Sequence, residues 1–367
     1  MTGEQQQINI PLNVVVHEEK NRPKSVRAPP TAIQRWYEQP SASRMKLSMR
    51  DEKISGVPRG HSKLKFSKVF TVYDLTEEYV NSMKEQNFEH AYNVLLKQQV
   101  TGYVGFKANH LKNSHEIFLL TGKSELATET RRTMVKLIAE NMEVNPDEIR
   151  EFADQLQTSK KYLDAMLFNF IAAVFYRFTS NSSEKLKKID QCTFRMAQFI
   201  KMFWELETER IKIKSCPGKL KAESNLRSLV RNRLLPMLHE MREIIKTIKQ
   251  TTNHELCLYD TLCAHRIEYC LGIIEDHDIR ERMIRGAIQA MSVCFGPQSE
   301  DYQVVGHLLN NLGQTYWCLS KYDPAAMYYN QAIDAYKQSK NYLSFQNKNE
   351  DIERSQRNLK LVKIKLN

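Results

Sequence analysis

The sequence predicts an all-α protein, and three observations predict it. Glycine and proline are scarce, 12 and 11 in 367 residues, too few for a fold rich in tight turns. Apolar residues recur at three and four positions along most of the chain after residue 70, the spacing of a half-buried helix. No stretch shows a convincing apolar–polar alternation of period two. Eleven or twelve helices joined by short loops point to an array of helical hairpins, an α-solenoid or a relative of one.

Residues 1–68 stand apart. They hold RPKSVRAPP and GVPRGHSK, where proline fixes the backbone and removes hydrogen-bond donors, so a regular helix is not expected. Residues 1–70 carry 13 Lys/Arg against 6 Asp/Glu, +7, whereas the other 297 carry 41 against 37. The basic excess thus belongs mainly to this segment. An extended basic arm suits an acidic surface: a nucleic acid, an anionic membrane, a microtubule wall or an acidic protein. Arg22, Lys24, Arg27, Arg35 and Arg44, with Trp36 and Tyr37 among them, are the candidate docking residues. The aromatics favour an arm that orders on a partner over a purely solvating tail, and both readings stay open.

From about residue 70 each segment has its own helical signature. YDLTEEYVNSMKEQ and NFEHAYNVLLKQQ read as two helices with a tight joint at Gln86-Asn87. A less regular one covers about 104–119. Leu126, Met134, Leu137 and Ile138 mark one stripe of the next. In NPDEIREFADQL, Asn145 is placed to cap and Pro146 to start a helix. Residues 162–178 are apolar on several faces, as a central helix is. Residues 184–214 form one long helix that the Cys216-Pro217-Gly218 break ends. Pro236 predicts a kink or a break. Further helices cover about 254–275, 279–293, 302–318, 323–339 and 348–365. The expected division is an arm at 1–68, a divergent hairpin array at 69–250, and more regular repeats with a capping helix at 251–367.

The stretch NNLGQTYWCLSKYDPAAMYYNQAI, Asn310 to Ile333, has a definite register. Leu309, Leu312, Gly313 and Tyr316 lie on a first helix, Tyr322 just before a second, and Ala325, Tyr329 and Ala332 on it. Glycine and alanine let the two helices approach, and the tyrosines fill the wider spaces. This pattern resembles a tetratricopeptide repeat (TPR). With the preceding Phe-Gly-Pro loop and Asn-Asn-Leu-Gly entry it is also similar, in part, to the longer repeats of kinesin light chains. Their acidic-histidine-proline loop reads Gly296-Pro297-Gln298-Ser299-Glu300 here. A weaker match spans 72–105, where Phe88 and Ala91 take the places of Tyr322 and Ala325, and Tyr79 replaces the glycine.

The resemblance implies a TPR-like helical-hairpin solenoid acting as a non-catalytic scaffold or adaptor, with a peptide or helix held in a groove lined by first helices. It assigns Asn310, Asn311, Gln314 and Trp317 to that groove; a contact of Asn310 with an adjacent repeat is the other reading. An architectural role on microtubules or axonemes, with tubulin or an axonemal or motor complex as partner, is the alternative, and a nucleic-acid-associated factor the weaker one. The expected location is cytoplasmic, cytoskeletal or ciliary in the narrower form.

Other chemistries are not supported by the residues. Gly122-Lys123-Ser124 resembles the tail of a phosphate-binding loop, but Ile117 stands where the first glycine is needed, so Ser124 is expected to cap a helix. His254, Cys257, Cys263, His265 and Cys270 lack the paired spacing of a structural zinc site. His277 has no nucleophile tied to it. No catalytic residue, cofactor or metal ligand is assigned, and the protein is read as not an enzyme. The start MTGEQQQINIPLN is not expected to be a signal peptide. The apolar run at 162–178 carries Asp164, Asn169 and Arg177, so no membrane span is expected. Seven scattered cysteines suit a reduced compartment.

Overall fold

The protein is all-α. A computed structural model describes residues 64–66, 77–97, 104–178, 182–213, 219–248, 251–342 and 345–366. The arm residues Arg22, Lys24, Arg27, Arg35, Trp36, Tyr37 and Arg44 lie outside the described residues. The helices are α1 (Glu77–Lys84), α2 (Phe88–Lys97), α3 (Val104–Thr121), α4 (Ser124–Asn141), α5 (Pro146–Thr158), α6 (Tyr162–Tyr176) and α7 (Ser182–Ile213). They continue with α8 (Lys219–Leu229), α9 (Leu235–Lys246), α10 (Asn253–Ile273), α11 (His277–Phe295), α12 (Gln303–Cys318), α13 (Tyr322–Gln338) and α14 (Phe345–Leu366). Most consecutive helices pack on each other, and α7 also packs on α10, and α10 on α12. The helices on either side of residue 250 are therefore in direct contact. No helix among the described residues is long and apolar enough to cross a membrane.

Residues 64–66, at the end of the expected arm, pack on this body. Leu64–Lys65 forms β1, pairing in parallel with β2 (Met142–Glu143). Strands of two residues are too short to leave an alternating pattern. Phe66, 1% exposed, places its ring edge-on to Phe152 and Phe168, with centroids 5.7 and 5.9 Å away. Burial of the ring is what draws these residues onto the helices.

Local signals set the helix ends. Asn145 accepts a hydrogen bond from the Asp147 amide at the start of α5, with Pro146 at its first turn. Ser124 is not a cap: Lys123 precedes α4 without a side-chain bond, and Ser124 is already helical. Gly122 instead ends α3 at φ +83°, a conformation glycine adopts without strain. Arg233 donates to the Leu119 and Leu120 carbonyls there, both at 2.7 Å. The Gly-Lys-Ser run is thus a helix joint. Pro236 does not break the chain's helix. Having no N–H to give back, it follows a π-turn at Val230–Leu234, where the Leu235 amide reaches the Val230 carbonyl.

In the α12–α13 hairpin Leu312, Gly313, Tyr316, Ala325, Tyr329 and Ala332 are buried, with Leu309 and Tyr322 half-buried beside them. A methyl on Gly313 would lie 2.9 Å from the Tyr329 ring, and one on Gly306 would lie 2.4 Å from Tyr336. Both glycines therefore sit where an aromatic of the second helix crosses the first closely.

Candidate functional site

Helices α7, α10 and α12 share one wall, and a cavity of about 910 Å³ opens along it. Its rim carries Phe194 of α7, 47% exposed, and Tyr269 of α10, 38% exposed. Met202, Leu258 and Leu262 line its apolar side, and Lys201, Arg266, His265, Gln303 and His307 its polar side. The guanidinium of Arg266 lies over the Phe194 ring, 5.4 Å from its centroid. Among the described residues its Nε has no hydrogen-bond partner, and Asp190 is 3.6 Å away. A cation held by an aromatic face and only loosely paired is well placed to meet an incoming acceptor.

Behind the cavity lies a polar network. Glu268, 0% exposed, accepts from His265 Nδ1 at 2.7 Å, Arg280 Nε at 2.9 Å and Asn311 Nδ2 at 2.6 Å. Burial works to raise its carboxyl. The hydrogen bond from His265, the charges of His265 and Arg280, and the bond from Asn311 outweigh it and hold the group below the usual carboxylate value. His265 stacks on His307, 5.7 Å between centroids and 9° between planes. His307 Nδ1 is 3.0 Å from the Tyr336 hydroxyl and its Nε2 3.5 Å from Asp351. An ionised carboxylate only accepts, so Nε2 carries the proton and Nδ1 accepts from Tyr336.

Burial, then the charges of His265, Arg354 and Arg266, pushes the His307 imidazole down to about 3. Its proton is refused in the folded state and taken in the unfolded state below about 6.5. Stability is therefore full above pH 6.5 and declines as pH falls from there toward 3. Its ring is 26% exposed, which moderates the loss. Between pH 7 and pH 5 the wild type should lose about 1–2 kcal/mol more unfolding free energy than His307→Gln. Equal losses in urea titrations at the two pH values would show that His307 titrates normally.

The structure redistributes the expected groove residues. Asn310 is buried and faces the neighbouring helix, its Oδ1 accepting from Ser355 Oγ of α14 at 2.9 Å and Asn358 Nδ2 at 3.4 Å. Asn311 is spent on Glu268. Gln314 is exposed but accepts from Arg280 at 3.3 Å. Trp317 packs half-buried against Tyr322. None of the four lines the cavity; Tyr302, just before α12, and Gln303, Val304 and His307 of its first turns do so instead. The cavity thus lies about two turns of helix from these four residues, of which Asn310, Asn311 and Gln314 meet side chains of α14, α10 and α11.

The cysteine and histidine cluster is dispersed. Cys257, Cys263 and Cys270 donate to carbonyls of Ala290, Leu238 and Ala197, on three different helices. His254 stacks on Phe295. Among the described residues no group of three or more His, Cys, Asp or Glu is placed to hold a metal ion. Glu268 orients His265 as a carboxylate orients a catalytic base, but the described lining of the cavity holds no serine, threonine or cysteine. No family model matches the chain, and no curated protein matches it.

Proposed function

We propose that the protein is a non-catalytic interaction scaffold, a TPR-like helical-hairpin solenoid that holds a peptide or a helix on the wall formed by α7, α10 and α12. The observation that carries this reading is the cavity itself, shared by three helices from different hairpins and rimmed by the exposed rings of Phe194 and Tyr269. Exposed aromatics beside a loosely paired arginine are the residue types that anchor protein partners. The contact of α7 with α10 and of α10 with α12 supports a reading in which neighbouring hairpins stack.

The charge of residues 1–70, +7, favours a second, compatible reading: a cytoplasmic architectural protein whose arm lies on an acidic lattice such as a microtubule or axoneme. Nucleic acid is the weaker choice for the same arm.

The groove reading is tested with Phe194→Glu combined with Tyr269→Glu. Both side chains are partly exposed, 47% and 38%, so each change should cost about 1 kcal/mol, and urea unfolding of the double variant checks that it is still folded when binding is read. Helical peptides selected on the wild type by display should bind the double variant at least about tenfold more weakly. Undiminished binding of those peptides would place their site elsewhere.

A further inference from the structure

A second cavity, of about 1100 Å³, lies in the amino-terminal half of the described body, among α1, α3, α6, α7 and α8. The first residues of α6 open onto it. Lys161 precedes that helix with no side-chain cap. The first helical bond there runs from the Ala165 amide to the Lys161 carbonyl, so the amides of Tyr162, Leu163 and Asp164 have no partner within the helix. Asp164 does not fold back to cap them, since its carboxylate takes Lys112 Nζ at 2.9 Å.

A helix start alone does not make a site, but a buried amide also borders the cavity. Asn113, on α3 beside Lys112, is 3% exposed and its side chain has no hydrogen bond among the described residues. An amide bordering a cavity with no protein partner is open to water or to a ligand there. The charges agree. Six cations line the cavity against three acids. Asp164 is paired with Lys112 and Glu207 with Arg210. Glu116 is the acid with no ion pair among the described residues; burial first, then the charge of Asp164, lifts its carboxyl to about 7 against the pull of Lys112 and Lys161. Lys84, Lys160 and Lys161 have no acidic partner among the described residues, and Arg233 is bonded to carbonyls. Val80, Met83, Phe203, Leu206 and Leu226 give the lining an apolar part, beside the polar Gln86, Asn225 and Ser228.

We propose that this cavity binds a small amphiphile with an oxyanion head, a phosphate or a carboxylate. The head meets the α6 amides, Asn113 and the nearby lysines, and the alkyl body lies along α1, α7 and α8. Open amides and a helix's positive end recognise an oxyanion, and the apolar lining takes the chain.

The test titrates the full chain with decyl phosphate below its micelle-forming concentration, followed by calorimetry and by the rise in Tm that binding to the folded state produces. Decanoate, decyltrimethylammonium and inorganic phosphate are run beside it. Decyl phosphate or decanoate should bind and raise Tm, and the tighter of the two names the head. Inorganic phosphate should bind far more weakly, and the cationic amphiphile should not bind. Lys160→Gln with Lys161→Gln, both at exposed positions, should weaken anionic binding about tenfold, with Tm without ligand read beside that of the wild type. Asn113→Leu should weaken it as well, by removing the amide. Equal binding of the cationic amphiphile, or anionic binding that the lysine pair does not weaken, would overturn the assignment.

Discussion

Glu268→Leu is expected to lower the unfolding free energy by about 3–5 kcal/mol, the usual cost of leaving one member of a buried ion pair alone. Glu268 is the point where α10, α11 and α12 are tied together: it receives His265 from its own helix, Arg280 from α11 and Asn311 from α12. Without it, among the described residues Arg280 keeps only Gln314, at 3.3 Å, and Asn311 loses the Glu268 acceptor. Arg280 has no room to retreat along α10, because its guanidinium already lies over Gly272, where a methyl would come within 2.7 Å of it. The loss should appear as a lower urea midpoint with an unchanged slope. Replacing both partners, Glu268→Leu with Arg280→Met, should recover a good part of it, since the stranded charge goes too. A single-variant loss below about 1 kcal/mol, or no recovery in the double variant, would mean that the network does not hold these helices.

The helices were legible because their signals are local. Asn145-Pro146 reads as a helix start and is one, since both residues act on amides one or two positions away. The small and large residues of Asn310 to Ile333 describe a hairpin because both halves of each contact, such as Gly313 against Tyr329, lie in the same 24 residues. What covers the outer side of that hairpin is set elsewhere. Asn310 meets Ser355 and Asn358, 45 and 48 residues on, and no spacing within the hairpin announces them. The cavity is still less local: the contact of Arg266 with Phe194 joins α10 to α7. A polar residue on a first helix is equally compatible with a groove and with a buried bond to the next helix, and the amide of Asn310 serves the second. Phe66 was missed for another reason. A single buried aromatic has no periodicity, and its neighbours Pro58, Gly60 and Ser62 read as loop.

The burial of Phe66 leads to the other large effect. Phe66→Ala should cost about 3–5 kcal/mol, the range for a fully buried aromatic cut to a methyl. The ring is one of three that meet edge to face. Phe152 and Phe168 lie 4.9 Å apart, and Phe66 closes the triangle at 5.7 and 5.9 Å. Such pairs contribute beyond the area they bury, and Phe168 lies at the centre of α6, fully buried, where the void left behind cannot collapse easily. Phe66→Leu keeps much of the volume but loses the edge-on ring contacts, so its cost should fall between wild type and alanine. Shortened chains separate the arm from the core. Removal of residues 1–66 should lose at least as much stability as Phe66→Ala when compared with removal of residues 1–63, because it also deletes the β1 pairing with Met142 and Glu143. Urea unfolding of the two shortened chains measures the difference directly. If they unfold at the same midpoint, and Phe66→Ala costs under about 1 kcal/mol, the aromatic triangle does not anchor this segment and the arm extends to residue 68.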